Sequence, residues 1–195
     1  GCLAIDNFSG GVAIYSSRFE HNVAENATSA SSDAGDSLEF IREGGGAILI
    51  VNNGPAYGLV ETSGCVFLNN SAGPSLGGAV ALHERVAFFR HCVFDNGSAA
   101  YGGAVFSSKP VLPYFENCSF AGNAATFDGG ALYIRSVSIL DQFTITNCSF
   151  YQNAALRHGG AMVLDRADVK TGSSVFLNNS AWRCRLPASV HQRHI

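Results

Sequence analysis

From Phe143 to Phe150 the chain reads Phe-Thr-Ile-Thr-Asn-Cys-Ser-Phe, apolar and polar residues taking turns. A period of two sends alternate side chains to opposite faces of an extended chain, so this stretch is predicted to be a half-buried strand. Shorter, wholly apolar runs that read as further strands follow paired glycines at Ala79-Val80-Ala81-Leu82, Ala104-Val105-Phe106 and Ala131-Leu132-Tyr133-Ile134, and another lies at Val12-Ala13-Ile14-Tyr15. Nowhere does an apolar period of about 3.6 residues persist over the length of a helix. The pattern predicts an all-β chain of short strands.

The strands belong to a repeat. An F-x-x-N-x-A phrase occurs at Phe19/Asn22/Ala24, Phe67/Asn70/Ala72, Phe120/Asn123/Ala125, Phe150/Asn153/Ala155 and Phe176/Asn179/Ala181, with a degenerate copy at Phe94 where Gly97 replaces the asparagine. Alternating with it is a G-G-A-aliphatic phrase, at Gly45-Gly46-Ala47-Ile48, Gly77-Gly78-Ala79-Val80, Gly102-Gly103-Ala104-Val105, Gly129-Gly130-Ala131-Leu132 and Gly159-Gly160-Ala161-Met162. From Phe67 onward the phenylalanines stand 26 to 30 residues apart. A period in this range marks stacked units, since a propeller blade needs about 40–45 residues. From each Phe to the next glycine pair the interval is nearly fixed, at 9 to 11 residues, whereas from the pair to the next Phe it ranges from 16 to 21. One corner of each unit is therefore built to a template while another admits insertions, as in a solenoid. Each unit has room for about three short strands, and stacked coils of parallel strands remain as the architecture. The expectation is a parallel β-helix of about six coils over residues 1–181, with a flexible, small and polar insertion at about 25–43 and a non-repeat tail at 182–195.

Stacking makes equivalent residues neighbours. Cys65, Cys92, Cys118 and Cys148 each lie two residues before the repeat Phe. Neighbouring coils lie ~4.8 Å apart with parallel Cβ vectors, which aims sulfurs poorly for disulfides, so a ladder of buried thiols is expected. No C-x-x-C pair or histidine companion suggests a metal. The repeated Asn should hydrogen-bond up and down the stack, with a gap at Gly97, where glycine would accept a left-handed turn.

Composition changes the picture little. At 47% hydrophobic and 14% charged the chain is globular, and its 22 Gly and 14 Phe follow from the repeat. A formal charge of −3 offers no broad basic field, so nucleic acid is not an expected partner. The longest apolar stretch, around Ala47-Ile48-Leu49-Ile50-Val51, is far short of the ~20 residues of a membrane helix, so no membrane insertion by this segment is expected. The opening Gly1-Cys2-Leu3 reads as a repeat cut in its middle, a piece of a longer chain.

The two phrases in alternation resemble the repeat of the chlamydial polymorphic outer membrane proteins and of related repeat proteins, over about Gly1 to Ala181. The resemblance implies a right-handed, single-stranded parallel β-helix of the pectin-lyase-like kind, displayed extracellularly or at a cell surface, with adhesion as its usual role. Seven N-x-S/T sequons, at Asn7, Asn26, Asn69, Asn96, Asn117, Asn147 and Asn178, would equally suit a secreted eukaryotic protein.

The same architecture carries polysaccharide lyases and glycoside hydrolases acting on acidic polysaccharide, which is the alternative reading. Such chemistry needs converging carboxylates, or Ca²⁺-binding acids and a base. The N-x-D, D-D, G-H-G and R-x-K signatures of polygalacturonase-like enzymes are missing; Arg157-His158-Gly159-Gly160 comes nearest. Two rows of equivalent residues merit weighing. Leu76, Tyr101, Asp128 and His158 precede the glycine pairs, and His83, Ser108, Arg135 and Asp165 end the strands that follow them. Asp128 should therefore adjoin His158, and Arg135 should adjoin Asp165. Either row is a sugar-binding or acid/base strip, or a solvated corner of cross-strand ion pairs; the second reading is adopted. Tyr101, Tyr133 and Tyr151 are candidates to stack on sugar rings. No catalytic, cofactor-binding or metal-ligating residue is assigned and no cofactor is expected. Host or neighbouring-cell surface molecules or glycans are the expected partners. An acidic groove crossing several coils would favour the enzyme, and a flat flank of small and polar residues the adhesin.

Overall fold

The computed structural model describes residues 3–6, 10–24, 44–51, 59–83, 86–108, 113–136 and 142–182. The insertion expected at about 25–43, the tail from 183 onward, Cys2, Cys184 and the sequons at Asn7 and Asn26 lie outside the described residues.

Every strand among them pairs in parallel with its equivalent one coil away, which makes the fold an all-β parallel solenoid. Sheet A runs through Leu3–Asp6, Ile48–Val51, Val80–His83, Val105–Ser108, Leu132–Arg135 and Met162–Asp165. Sheet B runs through Val12–Tyr15, Leu59–Ser63, Val86–Arg90, Tyr114–Glu116, Gln142–Thr146 and Asp168–Gly172. Sheet C runs through Arg18–Glu20, Val66–Leu68, Val93–Asp95, Ser119–Ala121, Ser149–Tyr151 and Val175–Leu177. Sheet D has four strands, Ser98–Tyr101, Ala124–Asp128, Ala154–Ala155 and Ser180–Ala181. The expected six coils are thus six rungs of sheets A to C, of which four form complete four-sided turns. In the first two the fourth side is reduced to isolated bridges, Val23 to Ser71, Ser71 to Ser98 and Leu76 to Tyr101.

Register is set by the repeat phenylalanine. Phe19, Phe67, Phe94, Phe120, Phe150 and Phe176 pair in sequence. Their rings lie 4.7–5.0 Å apart and within 7° of parallel. Rung spacing imposes this face-to-face column, which is not the arrangement rings prefer. Edge contacts from a second column offset it: Phe89 meets Phe94 at 69°, and Phe115 meets Phe120 at 78°.

The stretch from Phe143 to Phe150 is two strands. Asn147 has φ of 51° and turns the chain, so Ile145 and Cys148 both face inward although their positions differ in parity. Each coil turns this way after its sheet B strand, at Ser16, Gly64, His91, Asn117, Asn147 or Ser173, and again after its sheet C strand, at His21, Asn69, Asn96, Gly122, Gln152 or Asn178. Asparagine tolerates this left-handed conformation better than most residues. Five of the sequons are therefore corner asparagines, four followed by a strand serine and Asn69 by the bridge residue Ser71.

The glycine pair has two separate duties. A Cβ on Gly129, at φ 72°, would lie 2.2 Å from the Leu132 carbonyl oxygen, and one on Gly130 would lie 2.0 Å from that of Gly160 in the next coil. The first glycine permits the turn; the second lets the coils approach.

The core fills the space inside sheets A, B and C, where Phe67, Phe94, Phe120, Phe150, Val80, Leu82, Val105, Leu132 and Ile134 are buried. A second apolar cluster of Leu76, Ala100, Tyr101, Phe106 and Tyr133 lies on the other face of sheet A. The three middle strands of sheet A, from Val80 to Arg135, are consequently buried at every residue.

Candidate functional site

Both polar rows lie on that outer side of sheet A, with the predicted neighbours in register. Asp128 bridges to His158, and His83, Ser108, Arg135 and Asp165 pair in turn. One carboxylate oxygen of Asp128 accepts the His158 backbone N–H at 3.0 Å and meets its Nδ1 at 2.8 Å. The other oxygen faces an Arg157 guanidinium nitrogen at 3.5 Å, and Arg157 also lies over the Phe127 ring. Arg135 Nε stands 3.2 Å from Asp165, whose same oxygen is 3.4 Å from the Tyr133 hydroxyl. His83 Nδ1 meets the Ser108 hydroxyl at 2.9 Å.

The expected cross-strand pairs form, but the corner is not solvated. Arg135 is 4% exposed, His83 3% and Asp128 6%. The cause is the second apolar cluster, which buries the face on which the rows stand. A buried carboxylate requires partners of this kind, and Asp128 has spent its acceptors on them. Tyr101 and Tyr133 are buried too, packed edge to face with 5.1 Å between centroids, so their rings are not offered to solvent. Burial, and then the Asp165 carboxylate, push the Tyr133 phenol above its ordinary range. Of the three candidate tyrosines only Tyr151 is exposed, at 40%. Among the described residues no three His, Cys, Asp or Glu side chains are gathered as a metal site.

The cysteine row is a ladder of free, buried thiols. It continues as Ser17 in the first coil and Ser174 in the sixth, and each side chain donates to the carbonyl two residues back, across the left-handed corner. The position thus selects a small donor, and sulfur fills it where burial is deepest. Burial pushes the Cys65 thiol up, and hydrogen bonds with Cys148 and Cys92 on either side push Cys118 up.

Two surfaces escaped the sequence reading. On the outer face of sheet B, Arg90 bonds Glu61 at 2.8 Å in one neighbouring coil and Glu116 at 3.3 Å in the other. Its guanidinium lies over Phe88 and Tyr114, 5.0 and 5.8 Å from the ring centres, and Glu61 also accepts the Tyr15 hydroxyl at 3.0 Å. The signal was available: Glu61, Phe88 and Tyr114 stand six residues before their repeat Phe, and Arg90 and Glu116 four. Along sheet D runs an open groove of about 570 Å³, lined by residues such as Ser98, Ala124, Ala154 and Ser180, with Leu156 and Trp182 among its walls. None of its lining residues is charged.

Residues 117–135 match a family model described as the Chlamydia polymorphic membrane protein (Chlamydia_PMP) repeat. That stretch is similar to one PMP repeat. The matched stretch holds the Asn117 corner, Cys118, Phe120, Asn123 and the Gly129-Gly130 pair, which together make one sheet C strand, one sheet D strand and one sheet A strand. The other coils repeat its phenylalanine column, and most repeat its asparagine, with Gly97 in that place in the third coil. Comparison with curated proteins and with solved structures finds no match.

Proposed function

We propose that this PMP-repeat solenoid is a binding or structural rod of a secreted or surface-displayed protein, with adhesion as its role. Its partners are host or neighbouring-cell surface molecules or glycans, and the solenoid winds right-handed, as parallel crossovers do in nearly all proteins. The observation that carries the reading is the sheet D groove. It crosses several coils and is walled by Ala, Ser, Gly and Thr together with Leu156 and Trp182, with no carboxylate to serve as an acid, a base or a calcium ligand. A flat flank of this kind admits close approach of a partner's surface, and stacked coils repeat it for multivalent contact.

Cell-surface binding by the folded protein tests this. Ala124→Glu with Ser180→Glu, both at exposed positions in the groove, is expected to abolish binding and to leave the melting temperature within a few degrees of wild type. Calcium-dependent release of unsaturated uronate ends from pectin- or alginate-like polysaccharide would overturn the reading in favour of a lyase.

A further inference from the structure

Twelve corners in the left-handed conformation follow the strands of sheets B and C, and five of them are asparagines: Asn69, Asn96, Asn117, Asn147 and Asn178. Two residues beyond each of the five stands a serine, at Ser71, Ser98, Ser119, Ser149 and Ser180. Two residues beyond each of the other seven stands Arg, Val or Ala, never Ser or Thr. The asparagines of the ladder divide the opposite way, since Asn22, Asn70, Asn123, Asn153 and Asn179 all have alanine in that place. Exposure follows the same division: Asn69, Asn96, Asn117 and Asn147 are exposed, whereas Asn22, Asn70, Asn123 and Asn153 are buried.

The turn does not require the serine. Left-handed backbone accounts for asparagine at a corner, yet Ser, Gly, His and Gln make the same turn with no serine two residues on. Serine hydroxyls do bond along the columns, Ser98 to Ser71 at 3.0 Å and Ser149 to Ser119 at 3.2 Å. That contact leaves Ser180 unaccounted for, because it pairs with Ala154 and still follows an asparagine. What an exposed asparagine and a hydroxyl two residues on supply together is the acceptor read by an oligosaccharide transferase.

We propose that the corner asparagines are N-glycosylated, an inference that rests on the reading of this protein as secreted or surface-displayed. Asparagine Nδ2 displaces a lipid-linked diphosphate from the anomeric carbon of the donor oligosaccharide. The nitrogen–carbon bond forms, the carbon–oxygen bond breaks with its electron pair leaving on the diphosphate, and the amide nitrogen gives up one proton. The folded coil accommodates the product, because the residue between Asn and Ser faces inward, as Asn70, Gly97, Cys118 and Cys148 do, and the Asn side chain faces out. The glycans then stand in two columns along the edges of sheet C, Asn117 and Asn147 on the sheet B side, Asn69 and Asn96 on the sheet D side. Members of a pair are one rung apart, ~4.8 Å, so a glycan on one shades the other. Between the columns lies the outer face of sheet C, where Val93 is 37% and Tyr151 40% exposed, and bulky hydrophilic chains would cover that apolar surface. In the fourth and fifth coils the corners beside the groove are Gly122 and Gln152, which leaves the groove open around Ala124 and Ala154.

Mass spectrometry of peptides from the full chain, isolated from its own source, tests the proposal. Peptides are compared with and without peptide N-glycosidase, which leaves aspartate wherever it removes a glycan. Glycan is expected at Asn69 or Asn96 and at Asn117 or Asn147, and at no ladder asparagine. Unmodified asparagine at all five corners, or glycan on the ladder, would overturn it. Ser119→Ala with Ser149→Ala is expected to empty Asn117 and Asn147, and threonine at both positions to keep them modified; glycan persisting in the alanine variant would equally overturn it. Recovery from the medium, or labelling of intact cells with a membrane-impermeant amine reagent, separates this inference from the reading beneath it. A chain outside the cell with five bare corners loses the glycans and keeps the surface role, whereas a bare chain confined within the cell loses both.

Discussion

Asn123 joins three coils through one side chain. Its Oδ1 accepts the Gly97 N–H at 2.8 Å, and its Nδ2 donates to the Phe94 carbonyl and to Asn153 Oδ1. Asn123→Ala strands buried groups at roughly 1–3 kcal/mol each, so a loss of about 3 kcal/mol or more in urea denaturation is expected. The opposite change, Gly97→Asn, restores the repeat phrase but is also expected to destabilise, because the new Cβ meets the Gly103 carbonyl oxygen at 2.4 Å. Sequence reading placed the ladder and its gap correctly but misjudged the glycine: Asn96, with φ of 52°, makes the left-handed turn, and Gly97 is there for want of space. Identity alone does not distinguish a glycine needed for φ from one needed for room. The thiols and Tyr133 set a pH dependence. Cys65 and Tyr133 are raised by burial in the folded chain, so it holds protons that the unfolded chain releases from about pH 8.5 for cysteine and about pH 10 for tyrosine, whereas the hydrogen bonds that raise Cys118 lower Cys92 and Cys148. The contribution of Cys65 and Tyr133 is fully present below those values and is lost as pH rises through them. The urea midpoint is expected to fall between pH 8 and 10.5; a flat or rising midpoint would contradict this.

Strands and corners divide what was legible from what was not. The Phe and glycine phrases mark strand positions because the same side chain must meet its own copy in the next coil, and this fixed the sheets and their register. The break within Phe143–Phe150 was missed although the sequence marks it: Thr146 and Asn147 are adjacent polar residues, and the apolar positions pass there from odd to even. The polar rows were placed in register but assigned the wrong environment. Their burial depends on packing around Tyr101, Phe106 and Tyr133, contacts across elements that no local spacing reveals. The Phe column makes a graded prediction. Phe120→Asp is expected to abolish folding by burying an unpaired charge. Phe120→Ala should cost about 3–5 kcal/mol, and Phe176→Ala much less, since its ring is already 45% exposed. Thermal or urea denaturation separates the three, and equal costs for Phe120→Ala and Phe176→Ala would mean that the sixth coil is covered.

At the scale of the whole molecule, six rungs of sheets A to C give a short rod whose flanks differ in character. Sheet A is covered on both faces through its middle coils, sheet B carries the Arg90 network across three coils, and sheet D offers an uncharged groove. Arg90→Ala is expected to cost only about 1 kcal/mol, since its ion pairs are about a third exposed. What makes these flanks one object is the in-register stacking of coils, and a distance along the axis tests it most directly. Nitroxide labels carried by unnatural amino acids at Glu20 and Leu177, which occupy the same column of sheet C in the first and sixth coils, can be measured by pulsed electron resonance. Five rung steps put the two backbones ~24 Å apart, so a single narrow distribution near that value, widened only by the label arms, is the predicted result. A broad distribution, or one centred far from it, would contradict the stacked-coil account.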